Sequence, residues 1–331
     1  MVKAFIRRFF CALKIQLLLL LATSLVAHKA EARHVAGYSP GKVGFSVKFK
    51  DIVSTYQIIS AYVLPGETLA IKAESPEDTD TYSLETAAGV LIKTASSYWE
   101  WRAPKKVGFY PLTVTQLQSG EAMTINVFVM VPLNRLRRGY VNGYRVGRYP
   151  SVPLRLLPNY RTPKGFIEVT SENEDVLVSP HFTLKQFVCK QEANYPKYIV
   201  LKENLLVKLE LLLEKANEKG YSCDTFEVMS GYRTPYYNRL IGNVRYSFHL
   251  WGGAADIFID QNPQDGVIDD LNQDGRVDRA DAEVLCNLVE EICPEPIQAS
   301  FLGGLGIYRA STSHGPFIHL DVRGKVARWM D

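Results

Sequence analysis

Three short segments carry side chains that could work together: SGYRTPYYN at 230–238, SFHLWGGAADIF at 247–258 and GPFIHLDVRG at 315–324. They supply two imidazoles, His249 and His319, and one carboxylate, Asp256. A catalytic zinc ion is commonly held by three such ligands, with a fourth position open to water. Water so placed reaches a pKa of about 7 and can attack a carbonyl at neutral pH. Gly252 and Gly253 let the backbone turn tightly between the first two ligands, and Ala254 and Ala255 keep bulk away from the metal. Asp256 opens the strand-like run AADIFID, where an acid on a core-facing strand is costly without a partner. In FIHLDV, period-two alternation puts Phe317, His319 and Asp321 on one face and Ile318 and Leu320 on the other.

A second oxygen-rich stretch, DLNQDGRVDRAD at 270–281, interrupts the first. Asp270, Asn272 and Asp274 fall at positions 1, 3 and 5 of a calcium loop, Gly275 at 6, the Arg276 carbonyl at 7, Asp278 at 9 and Asp281 at 12. Position 12 is Asp where sensor loops carry Glu. The preceding QNPQDGVID is a poor entering helix, although AEVLCNLVEE after it reads as an exit helix. The loop therefore resembles those of dockerin modules more than sensor EF-hands, and no partner loop is read elsewhere in the chain. Lying between the second and third zinc ligands, it is expected to hold a structural calcium ion that braces an insertion at about 261–296.

The pattern S-x-H-x-x-G-x-A-A-D, with S-G-Y-R-T-P before it and H-x-D after it, resembles the D-alanyl-D-alanine metallopeptidases. That zinc family includes the vancomycin-resistance dipeptidases and shares its fold with lysostaphin-type enzymes and hedgehog signalling domains. The resemblance covers roughly 180–330. It implies a catalytic zinc on His249, Asp256 and His319, and an arginine, Arg233, that binds substrate and steadies the developing oxyanion with its fixed fork of donors. Ser230, Asn238 and Ser247 occupy motif positions expected to line the site. Trp251 either borders the cleft or packs beneath it. Where the family places its general base, two or three residues before the last ligand, this chain has Phe317 and Pro316. The base is left between His314, on a Gly-Pro loop, and Asp321, which could instead orient a ligand.

The surrounding elements must position these groups. Thr183 with Gln186 forms a capping box for a helix through Phe187. Leu201, Leu205, Leu209, Leu212, Leu213 and Ala216 form the stripe of a long helix that Gly220 closes. The strand TFEVMS then leads into the first segment. Upstream, 36–132 is a series of short alternating strands separated by Gly, Pro, Asp and Ser turns, which indicates a β-sandwich. YVLPGETLAI and WEWRAPKKVGFYPLTV resemble bacterial Ig-like domains at the level of fold. The expected architecture is thus multidomain: an all-β Ig-like sandwich followed by an α+β hedgehog/DD-peptidase-type zinc domain at 179–331.

Between them, 133–178 reads as a Tyr-, Pro- and Gly-rich linker whose first part, 133–165, holds eight Arg or Lys and no acid. It could pack between domains or contact an anionic cell-wall glycan. At the start, a basic stretch, the apolar run IQLLLLLATSLVA at 15–27 and Ala30-Glu31-Ala32 make a signal peptide cleaved after Ala32. That run is 13 residues long, short of the roughly 20 that span a bilayer, so a secreted or periplasmic protein without a stable membrane span is expected. Removing Lys3, Arg7, Arg8, Lys14, Lys29 and Glu31 leaves 33 basic against 34 acidic residues, which argues against nucleic acid as a partner. Four cysteines remain, Cys189, Cys223, Cys286 and Cys293, in a compartment that permits disulfides. On one helix Cys286 and Cys293 would stand about 10 Å apart, which favours pairing with Cys189 and Cys223. With the metal motif, the signal peptide and the Ig-like companion, the resemblance implies an exported zinc peptidase acting on peptidoglycan stem peptides, as a D,D-carboxypeptidase or endopeptidase. The alternative is a non-catalytic cell-wall or glycan-binding protein with a structural zinc.

Overall fold

The computed structural model describes residues 38–76, 80–292 and 301–331, apart from the side chains of 93 and 94. The signal-peptide segment and Cys293 lie outside these residues.

The N-terminal part is a sandwich of two sheets. One runs in the order Ile52–Tyr56, Lys42–Phe49, Thr68–Glu74, Tyr98–Arg102, Val90–Ala95, all antiparallel. The other runs Ile58–Val63, Ala122–Val129, Gly108–Gln116, Tyr82–Thr86, and its first pair is parallel. Strict alternation in TLAIKAE buries Leu69, Ile71 and Ala73 and exposes their neighbours. These residues meet Phe45, Trp99, Trp101 and Val127 in a shared core, as period-two patterning requires.

The second part is built on a five-stranded sheet in the order Glu227–Ser230, Ala254–Phe258, Phe317–Asp321, Gly304–Tyr308, Ala327–Met330. Only the last pair is parallel. Helix α1 (Glu203–Glu218) buries Leu205, Leu209, Leu212, Leu213 and Ala216, and Gly220 closes it at φ +87°. Helix α2 (Pro235–Leu240) is short and starts at Thr234, whose hydroxyl accepts from Tyr237 N at 3.0 Å. Helix α3 (Arg279–Glu291) packs against α1 and the strands Gly304–Tyr308 and Phe317–Asp321. The Thr183–Gln186 capping pair is present, with Thr183 N donating to Gln186 Oε1 at 2.8 Å. It opens only a single 3-10 turn, Leu184–Phe187.

Residues 133–178 are folded and not an open tether. Val131–Pro132 pairs with Gly165–Val169, which pairs in turn with Lys197–Ile199. Tyr140–Val141 and Tyr144–Arg145 make a small hairpin. The two parts also touch directly: Ser60 Oγ and Asn126 Nδ2 donate to the carbonyls of Val178 and Leu177, and Lys50 pairs with Glu203.

The expected disulfides are corrected by the structure. Cys189, Cys223 and Cys286 are all free thiols. Cys223 sits at the end of α1 beside Asn217, and burial pushes its thiol up to about 12, so it stays protonated. No helix among the described residues is long and apolar enough to cross a membrane.

Candidate metal centre and cleft

Antiparallel pairing of Ala254–Phe258 with Phe317–Asp321 places Asp256 directly opposite His319. Directly opposed residues share a sheet face, so their side chains must meet. His249 arrives from a 3-10 turn, Phe248–Trp251, that ends at Gly252 with φ +63°. A Cβ on Gly252 would stand 2.0 Å from Val200 O, so both backbone shape and space require glycine.

The three donors converge. Asp256 Oδ1 lies 2.8 Å from His319 Nδ1 and 3.1 Å from His249 Nε2, and the two ring nitrogens are 3.1 Å apart. Each ligand is held from behind. His249 Nδ1 is 2.6 Å from Gly231 O, a carbonyl that can only accept, so Nδ1 carries the proton and Nε2 presents a lone pair inward. His319 Nε2 is 3.1 Å from Asp321 Oδ2, which likewise fixes a lone pair on Nδ1 in neutral His319. The Asp256 Oδ2 oxygen is bound by Arg233 Nη2. Two lone pairs and a carboxylate oxygen aimed at one point, all buried, repel each other unless a cation sits among them. The donor set fits zinc.

Burial works against protonation of His319, but its hydrogen bonds to Asp256 and Asp321 outweigh burial and raise its pKa. Burial dominates at His249 and lowers its pKa. Burial also opposes the charge on Asp256, yet the two histidines overcome it and hold its carboxyl far below the usual carboxylate range.

A cleft of about 640 Å³ opens beside the cluster. It is lined by Arg233, Ser247 and His314 together with Tyr246, Tyr308 and Trp329. Arg233 Nε also donates to Ser230 Oγ at 2.7 Å, so Ser230 steers the arginine. Asp321 is fully buried and accepts from Gly304 N, Arg323 N and the Arg323 guanidinium as well as His319. It sits behind His319, outside the cleft lining. His314 does line the cleft, edge-on to the Phe317 ring at 4.9 Å.

Of the expected lining residues only Ser247 is in the cleft wall; Ser230 stands behind Arg233, and two others are placed elsewhere. Trp251 is buried, donates to Arg161 O at 2.9 Å and packs edge-on against Tyr160, so it is a packing residue. Asn238 lines a neighbouring recess. Residues the sequence reading missed include Trp329, which lies 5.2 Å from the His319 ring and hydrogen-bonds Tyr308 Oη at 2.9 Å. Its indole occupies the space over Gly306, where a Cβ would come within 2.3 Å. Only the cross-strand register linking Gly306 to both His319 and Trp329 reveals this, and no local motif carries it.

In the 270–281 loop, Asp270 accepts from Asp274 N and Gly275 N, and Asp274 accepts from Arg276 N. Asp281 closes the loop by accepting from Leu271 N at 2.8 Å, while its other oxygen accepts from Asp278 N. The preceding stretch, read as a failed helix, repeats this pattern: Asp260 accepts from Asp265 N and Gly266 N, Asp265 from Val267 N, and Asp269 from Gln261 N and Asn262 N. The signal was in the sequence, DGVID at 265–269 against DGRVD at 274–278.

Residues 180–276 match the Peptidase M15 family model. The match supports a metallopeptidase of the M15, D-Ala-D-Ala peptidase type. It takes in Arg233, His249 and Asp256 and stops short of His319, which the sheet register brings to the same point, and of His314 in the cleft lining. No curated protein matches the chain.

Proposed function

We propose that this protein is an exported zinc metallopeptidase that hydrolyses peptidoglycan stem peptides, as a D,D-carboxypeptidase or endopeptidase. The observation that carries the reading is the convergence of His249 Nε2, Asp256 Oδ1 and His319 Nδ1 in the lining of an open cleft, together with the match of residues 180–276 to Peptidase M15. These three residues would hold the metal. Zinc, when bound, supplies Lewis acidity to a peptide carbonyl and increases the acidity of water beside it.

The chain's own groups do the remainder. Gly231 O and Asp321 fix the two imidazole tautomers. Arg233, braced by Ser230 and Asp256, presents its guanidinium to the cleft, where it offers hydrogen bonds to the oxygen on which negative charge develops. His314 is the group in the cleft suited to take the proton from water and pass it to the leaving amine. Asp321, with its acceptor capacity used by Gly304, Arg323 and His319, serves to orient His319.

The alternative of a structural zinc in a non-catalytic binder requires a fourth protein ligand. Among the described residues the group of mutually close metal-binding side chains has three members. Calcium in the 270–281 loop is proposed as a brace. Val267, in the adjacent turn, fills the space over Gly315, next to His314. A calcium-stiffened insertion would therefore hold the cleft wall that carries His314.

Incubation of the signal-free protein with purified muropeptides, with and without a chelator, tests the proposal. Chelator-sensitive cleavage is expected. Absence of any such cleavage rejects it.

A further inference from the structure

Beside the histidine cleft lies a recess of about 550 Å³ whose lining includes Arg148, Arg239, Arg245, Asn238 and Asn243 and no carboxylate. The three arginines come from three segments: the basic stretch after the sandwich, helix α2, and the loop that follows it. All three are exposed. Collecting like charges around one hollow raises the local positive potential, which an anion would relieve.

The basic stretch is fixed in place. Tyr236 N donates to Val146 O at 2.9 Å, the Arg145 guanidinium stacks 3.9 Å from the Tyr236 ring centre, and Gln191 Nε2 donates to Arg145 O at 3.0 Å. Arg148 is thereby presented to Arg239 and Arg245 by a docked segment.

A second observation specifies the ligand further. Asn238 is 2% exposed, and its amide nitrogen donates to Val244 O at 2.9 Å and Asn243 O at 3.4 Å. Its Oδ1 is buried and accepts nothing. A buried acceptor left empty is costly, and here it calls for an N–H or O–H donor from a ligand. An anionic group close to an amide N–H is the chemistry of a peptide residue bearing a carboxylate. Asn243 lines both this recess and the histidine cleft, so a chain bound across the histidines can continue round Asn243 into the arginines.

We propose that this recess is a substrate subsite for a carboxylate-bearing residue of the peptide cleaved at the histidine cleft. Arg148, Arg239 and Arg245 take the carboxylate, and Asn238 Oδ1 accepts an amide N–H. The inference rests on the peptidase reading above.

The test uses the zinc-loaded protein and two matched stem peptides, one with free carboxylates and one with those groups amidated. Wild type, the double variant Arg148→Gln/Arg239→Gln and the control Arg135→Gln, an exposed arginine outside the recess, are compared. The double variant should raise KM for the acidic peptide by roughly five-fold or more, as expected for loss of exposed to half-buried charge contacts. Its kcat should hold, and its KM for the amidated peptide should not move. An equal KM of wild type for both peptides, or an equal loss on both, overturns the subsite while leaving the peptidase reading intact. Cleavage of neither peptide by wild type overturns both. Retention of wild type on a glycerol-phosphate polymer, lost in the double variant with KM unchanged, would also overturn it in favour of anchoring to that polymer.

Discussion

Asp321→Asn isolates the part of the site that sequence motifs describe least. The side chain keeps its shape, and an amide oxygen in place of Oδ1 continues to accept from Gly304 N at 2.7 Å and Arg323 N at 3.0 Å. The amide nitrogen then replaces Oδ2, 3.1 Å from His319 Nε2, where two N–H donors would face each other. His319 escapes by moving its proton to Nδ1, the atom that lies 2.8 Å from Asp256 Oδ1, and so loses the lone pair aimed at the metal. Loss of such an outer partner costs about 10–100-fold in metal affinity, or about 1.4–2.7 kcal/mol. Competition against a chromophoric zinc chelator measures that affinity directly. A thermal melt run in parallel measures any separate loss from the broken Arg323 contact. Zinc affinity within about two-fold of wild type, beside a lowered melting temperature, would show that Asp321 only braces the fold and would refute the tautomer argument.

Other outcomes follow from the same geometry. His314→Ala should lower kcat by about 100-fold or more, the usual scale of general acid–base catalysis, with zinc content unchanged; undiminished turnover would remove His314 from the mechanism. Selective calcium removal should lower the melting temperature while zinc stays bound, and an unchanged melt would count against the 270–281 loop as a brace. His181 is half-buried, 2.7 Å from Glu210; burial disfavours its charge, but Glu210 outweighs this and raises its pKa. A raised folded pKa means a contribution complete below the unfolded value near 6.5 and lost as pH climbs through the folded one. His181→Asn should therefore destabilise more at about pH 5.5 than at about pH 8.5, and an equal cost at both would contradict the sign.

The convergence of His249, Asp256 and His319 was legible because its pattern is local. Gly252, Ala254 and Ala255 frame Asp256, and strand alternation sends His319 to its side of the sheet. The sandwich strands were legible because TLAIKAE and its neighbours alternate cleanly between core and solvent. What the sequence hid depends on distant pairing. Trp329 reaches His319 across Gly306 through two register relations, Arg148 joins Arg239 only after the basic stretch docks on Tyr236, and Trp251 is drawn under Tyr160. An even cysteine count carries no distance information, and Cys189, Cys223 and Cys286 remain free in the structure. The turn at 260–269 was concealed by one extra residue between Asp260 and Asp265, which breaks the spacing while leaving the hydrogen bonds intact.

The central claim is that His249, Asp256 and His319 form one zinc site. Metal analysis of extensively dialysed wild type and of Asp256→Ala tests it most directly. The account predicts one tightly held zinc per wild-type chain and its loss in the variant. A wild type that keeps no zinc, or a variant that keeps it undiminished, would contradict it.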